Sequence, residues 1–160
     1  MVVNHFPIIG TIFGLGILIA GIFFKNSVIK NVAYVLFVVA AIFSAVSMAT
    51  GEGAEEIAEK LPSVTDQIIE KHEEMAEKLA IVLYALGVIS LIGLFSNYKN
   101  HSKAIFVSYI AVVVAIVGMF FGKQTGTSGG EIRHTEIREN TANTASDIQN
   151  EAQQEEGDDH

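Results

Sequence analysis

The 160-residue sequence has no cysteine, no tryptophan and only two prolines. Lacking cysteine, the chain has no disulfide, thiolate metal site, iron–sulfur cluster, c-type haem attachment or thiol nucleophile. Bases are scarce too: ten Lys and Arg stand against 18 Asp and Glu, for a net charge of −8. An acidic chain offers phosphate no basic surface, which excludes nucleic acid as a partner. Charge of either sign is missing altogether from long stretches. Half of the residues are hydrophobic and the mean hydropathy is +0.41, so the apolar and acidic residues are segregated. That segregation excludes an ordinary soluble domain and a chain disordered throughout.

What is present, first of all, is four apolar blocks: Phe6–Phe24, Val32–Ala49, Leu79–Ser96 and Ala104–Gly122, each of 18 or 19 residues without a charge. At 1.5 Å per residue each crosses a hydrocarbon core of ~30 Å. Lipid offers backbone amides no partner, so each block must be a helix. Pro7 falls in the first turn of the first block, where its missing N–H does no harm. Met1–His5 has no positive charge, and the first block lacks a small-residue exit, so it reads as a retained span rather than a cleaved leader. The fold expected is all-α: an antiparallel four-helix bundle integral to the membrane, residues 1–122, in contact with the lipid bilayer.

Charge gives the topology. The two short turns carry Lys25, Lys30, Lys99 and Lys103 and no acid. The connection Gly51–Lys78 has nine acids and three lysines, and Lys123–His160 has nine acids and three bases, so each nets −6. Lysine-bearing short loops stay in the cytoplasm. Both termini and the long connection should therefore lie on the outer side of the membrane.

Within the outer connection, residues 50–78, Ala54–Leu61 reads as a short amphipathic helix ended by Pro62. Ser63-Val64-Thr65-Asp66 has the form of a capping box. Ile68, Ile69, His72, Met75, Ala76 and Leu79 then recur at helical spacing, so a long third helix should start near Val64 and stand above the membrane before entering it. Thr125–Gly130 reads as a flexible link, with residues 123–138 forming a Gly-rich link and charged motif. Residues 139–160 read as a disordered acidic tail.

Chemistry has few places to sit. No span holds an ionisable side chain other than Tyr34, Tyr84 and Tyr109, and no paired broken helices build a midplane site, which disfavours a pump, channel or transporter. His5, His72 and His134 all fall on the outer side, near Glu52, Glu55 and Glu56. Imidazoles and carboxylates at the end of a bundle suit a transition metal ion, and His5 with His72 would suit haem. The di-iron Glu-x-x-His pair is absent, because Ile69 stands three residues before His72. The zinc motif His-Glu-x-x-His is absent too, because Ala76 ends the run from His72. These residues also have a plain structural reading as polar groups at helix ends. Rows of small residues lie at spacing four: Gly10 and Gly14; Ala41, Ala45 and Ala49; Ala111, Ala115, Gly118 and Gly122. Such rows let helices approach closely, within the chain or with a partner helix.

His5-Phe6-Pro7-Ile8, Thr50-Gly51 followed by acids, His72-Glu73-Glu74 and Gly129-Gly130-Glu131-Ile132-Arg133-His134 together resemble a group of small bacterial inner-membrane proteins of unassigned function. The resemblance covers residues 1–138 and implies a four-span fold and a shared outer site drawing on His5, Glu52, Glu55, Glu56, His72 and His134. It implies no reaction. Two functions stay open: a redox or metal-binding module at that site, or a non-catalytic accessory subunit joined to a membrane-protein partner or to its own copies. The absence of native cysteine makes the topology directly testable. A cysteine placed at Asp158 should react with a membrane-impermeant maleimide on intact cells, and one at Asn100 only after lysis; the reverse pattern would invert the topology.

Overall fold

The computed structural model describes residues 2–51, 66–99, 101 and 104–133. These form four helices: α1 (Val2–Phe23), α2 (Ser27–Ala49), α3 (Asp66–Tyr98) and α4 (Ala104–Arg133). The expected outer helix Ala54–Leu61 and the tail 139–160 lie outside the described residues. All four helices are long and apolar enough to cross a membrane. They form a closed ring: α1 packs on α2, α2 on α3, α3 on α4, and α4 returns to α1. The short turns make consecutive helices antiparallel.

The first turn has no residue to spare. Asn26 N–H bonds Gly21 O and Lys25 N–H bonds Ile22 O, which closes α1 as a Schellman motif. Lys25 takes the left-handed position of that motif, at φ 51°. Asn26 then caps α2, its Oδ1 accepting from the amides of Val28 (2.9 Å) and Ile29 (3.3 Å). Lys30, which the sequence places in the turn, lies inside α2 and is buried, its backbone against Gly21 of α1. α1 starts at Val2, ahead of the expected span, so Pro7 falls in its second turn rather than its first. Thr11 Oγ1 donates to Pro7 O at 2.7 Å.

The ring closes over Leu15, Leu18, Tyr34, Phe37, Leu83, Leu86, Ala111 and Ala115. Outside that core the surface is apolar: Phe13, Ile81, Phe95, Phe106, Val113 and Phe120 are all more than half exposed. A surface of that kind belongs in lipid, not water. The small-residue rows of α1 and α4 are spent inside the bundle, while Ala45 and Ala49 of the α2 row are exposed. Gly10 faces Ala40 of α2, Gly118 faces Leu83 and Thr11, and Gly122 faces Ile8 of α1. Gly14 accommodates the ring of Phe37, and Gly93 that of Tyr34. Tyr34 reaches from α2 to α4, where its hydroxyl lies 2.9 Å from Ser108 Oγ. Ser108 Oγ also donates to Ala104 O, which leaves Tyr34 as the donor of the pair. At the lysine-bearing end Asn97 Nδ2 donates to Asn31 Oδ1 at 2.7 Å, tying α3 to α2.

One expectation is corrected. Thr125–Gly130 is not a link: α4 continues through it to Arg133. The serine and threonine hydroxyls that suggested a loop turn back on the helix instead. Thr127 Oγ1 donates to Lys123 O, and Ser128 Oγ to Thr125 O. Helix α3 flanks this stretch throughout, and tertiary contact outweighs the low helix propensity of glycine.

A methyl group added at Gly93 would sit 2.5–2.8 Å from the Tyr34 ring, which cannot withdraw because it is fully buried and hydrogen-bonded. Gly93→Ala should therefore destabilise the bundle by ~1–3 kcal/mol. Gly16→Ala meets nothing within 4 Å and should not destabilise it. Thermal unfolding of both variants in mild detergent makes the comparison, and equal midpoints would refute the tight crossing.

Candidate functional site

Two helices outlast the apolar spans at the same end of the bundle. Helix α3 has 13 residues ahead of Leu79, and α4 has 11 beyond Gly122. At 1.5 Å per residue they rise ~20 Å and ~16 Å as a paired stalk. Beyond the charge-free runs, polar side chains tie the pair. Thr125 Oγ1 of α4 donates to Met75 O of α3 at 3.1 Å. One turn further out, His72 Nδ1 of α3 lies 2.9 Å from Ser128 Oγ of α4.

That second contact fixes the histidine tautomer. Ser128 has a single hydroxyl proton, and it goes to Thr125 O at 3.1 Å. With both bonds made, Ser128 Oγ accepts from His72, so Nδ1 carries a proton. In the neutral ring Nε2 is then the free acceptor. A metal-binding imidazole is commonly oriented through its other nitrogen in this way. Gly129 completes the seat: a Cβ there would lie 3.1 Å from His72 Cε1, so the missing side chain lets the ring settle against α4.

Two of the sequence-derived candidates, His72 and His5, fall on described residues. His72 is half-buried between α3 and α4. His5 is exposed in the second turn of α1, next to Phe6, whose ring packs 4.5 Å from that of Phe43 on α2. Glu52, Glu55, Glu56 and His134 lie outside the described residues. Among the described residues no group of three or more His, Asp or Glu side chains is placed to hold a metal ion. The partner of His72 is a hydroxyl, whereas Glu70, Glu73, Glu74 and Glu77 of the same helix line a separate open recess of about 270 Å3. Glu74 pairs there with Lys78 at 2.7 Å, the exposed i,i+4 bridge its spacing suggests.

Sequence reasoning missed Thr125 and Ser128. Their one signal was a hydroxyl-rich run directly after a span, which reads as a loop in isolation. Gly129 did belong to a motif singled out from the sequence, and it touches the histidine of another: the His72-Glu73-Glu74 and Gly129-Gly130 elements meet in space. Comparison of the chain with known protein families, curated proteins and solved structures finds no match.

Removing the Ser128 hydroxyl takes away the side-chain partner of His72 Nδ1 and one of the two hydrogen-bonded ties between α4 and α3 in the stalk. Ser128→Ala should weaken the stalk by ~1 kcal/mol, an increase of about fivefold in local opening. Hydrogen–deuterium exchange should quicken by that factor at residues 125–133 and stay unchanged at 104–118. Unchanged exchange at both would show that the His72–Ser128 contact does not hold the stalk.

Proposed function

We propose that this protein is a non-catalytic accessory subunit of a membrane complex, anchored by its four spans and acting through the paired-helix stalk. The observation that carries the reading is the stalk: two helices extend past the charge-free runs and are pinned to each other by His72–Ser128 and Thr125–Met75. A rigid projection of ~16–20 Å is more than an anchor needs. The filled core agrees with the reading. Its hydroxyls bond within the chain, as with Tyr34 to Ser108, Ser90 to Leu86 O and Thr11 to Pro7 O. The small-residue rows of α1 and α4 are occupied inside the bundle, whereas Ala45 and Ala49 of α2 are exposed. The acidic flank of the stalk, Glu70, Glu73, Glu74 and Glu77, suits a cationic partner. By the lysine distribution, the stalk stands on the outer side of a bacterial inner membrane, with both termini.

A second reading keeps the outer metal or haem site. The tautomer of His72 favours it, because an Nδ1–H held by Ser128 presents Nε2 as a ligand. The other donors would then come from His5, Glu52, Glu55, Glu56 and His134.

One preparation decides between the two. A photo-crosslinking residue replacing Glu73 should capture a second polypeptide in native membranes, and one replacing Phe95 at the opposite end should not. Metal analysis and a visible spectrum of the same protein should be blank. No adduct from Glu73, together with a near-stoichiometric metal or Soret band lost in His72→Ala, would overturn the accessory reading in favour of the second.

A further inference from the structure

The contacts between α3 and α4 fix which of their residues share a height. His72 lies against Ser128, Met75 O accepts from Thr125, and Gly118 lies against Val82 and Leu83. A step forward on one helix is thus a step back on the other. Glu77 stands two residues after Met75, and Lys123 two before Thr125, so these two charges lie at one height. They do not face each other. Met75 and Glu77, two residues apart, point roughly 160° from each other round a helix of 3.6 residues per turn. Met75 shares a groove of about 380 Å3 with Phe120, Lys123 and Gln124. Glu77 shares the acidic recess with Glu70, Glu73 and Glu74, and no residue lines both. Lys123 and Glu77 are exposed, and among the described residues neither has an ion-pair partner. Beside each charge stands a bare apolar side chain, again at matched height. Phe120, 60% exposed, lies one turn from Lys123, and Ile81, 66% exposed, one turn from Glu77.

We propose that this protein associates with itself head to tail, Lys123 of one copy entering the acidic recess of the next beside Glu77. Copies of one chain take one topology in a bilayer, so their bundles stand parallel and equal residues lie at equal heights. A rotation about an axis along the bundle then brings Lys123 level with Glu77 of the next copy, and Phe120 level with its Ile81. The two charges sit on opposite flanks, so no single two-fold contact uses both. Each copy instead offers one flank to either neighbour, and the series closes as a ring of copies. The unpaired lysine gains the field of the carboxylates, and the apolar side chains beside the charges cover each other. Complementarity of this kind fixes register. A basic protein of another sequence would satisfy the acids alone and leave Lys123 and Phe120 unused; a second copy uses both flanks. The inference rests on the geometry of the stalk and not on the accessory reading. Glu73 and Glu70 stand ~6–10 Å further out than Glu77 and stay open to another polypeptide.

Gly51 is exposed beyond the end of α2, and a side chain there meets nothing within 4 Å. In this cysteine-free chain, Gly51→Cys takes one donor or one acceptor fluorophore. Purified full-length protein carrying each label is mixed in phosphatidylcholine vesicles, and energy transfer is followed as lipid is added. Transfer above that of randomly placed labels should persist on dilution. Lys123→Glu and Glu77→Lys should each weaken the association about tenfold, because like charges then meet. Mixing the two variants should restore it, since each supplies the charge that the other has lost. The Lys123→Glu, Glu77→Lys double variant should restore it as well, and Lys25→Glu at the other end of the bundle should leave it unchanged. Transfer no greater than random in the parent protein overturns the proposal. So does association indifferent to both reversals, and so does a loss that neither rescue repairs. The vesicles hold no other polypeptide, so failure here leaves the accessory reading standing. In native membranes an adduct from Glu73 at twice the mass of the chain reports this contact, and one of any other mass reports the accessory partner.

Discussion

Everything in this bundle depends on how closely its helices can approach. In lipid there is no hydrophobic gain from bringing two apolar helices together, so contact must come from packing. Here glycine and alanine let one helix receive the bulk of its neighbour: Gly14 takes Phe37, Gly93 takes Tyr34, and Gly87 lies against Ala41. Tyr34, threaded past Gly93 of α3 to reach Ser108 of α4, joins three helices with one side chain. A bundle built this way is filled at its centre, which leaves its ends as the places for interaction.

The two ends are built differently. At the lysine-bearing end the helices stop, and short caps and the Asn31–Asn97 bond close the structure. At the other end α3 and α4 continue past the charge-free runs. Hydroxyl and imidazole groups take over there. The change from Gly–aliphatic packing to Thr125, Ser128 and His72 falls just beyond the apolar blocks.

The spans were legible because a charge-free run of 18 residues has one stable form in lipid. The long third helix was legible from the periodicity through Ile69, His72, Met75 and Leu79, which is what a helix with one covered face produces. The end of α4 was not. Glycine, serine and threonine in succession have loop propensity, and only the neighbouring helix reverses it, which is information no local window contains. The same applies to His72. Its place on the inner stripe could be read, but its attachment to Ser128, 56 residues away, could not. The proposed cluster of His5, Glu52, Glu55, Glu56 and His134 around it rested on nearness along the chain and on a shared side of the membrane. Neither property sets a distance.

Asn26 closes α1 with its amide and opens α2 with its side chain. The two helices thus share one residue as their common boundary, with no slack between them. This bears on how the chain enters a bilayer. With both caps on one residue, the first helix has no linker on which to swing free of the second. The Asn26 turn ties both helices to one event, so the N-terminal third of the protein is suited to insert as a preformed hairpin rather than one span at a time.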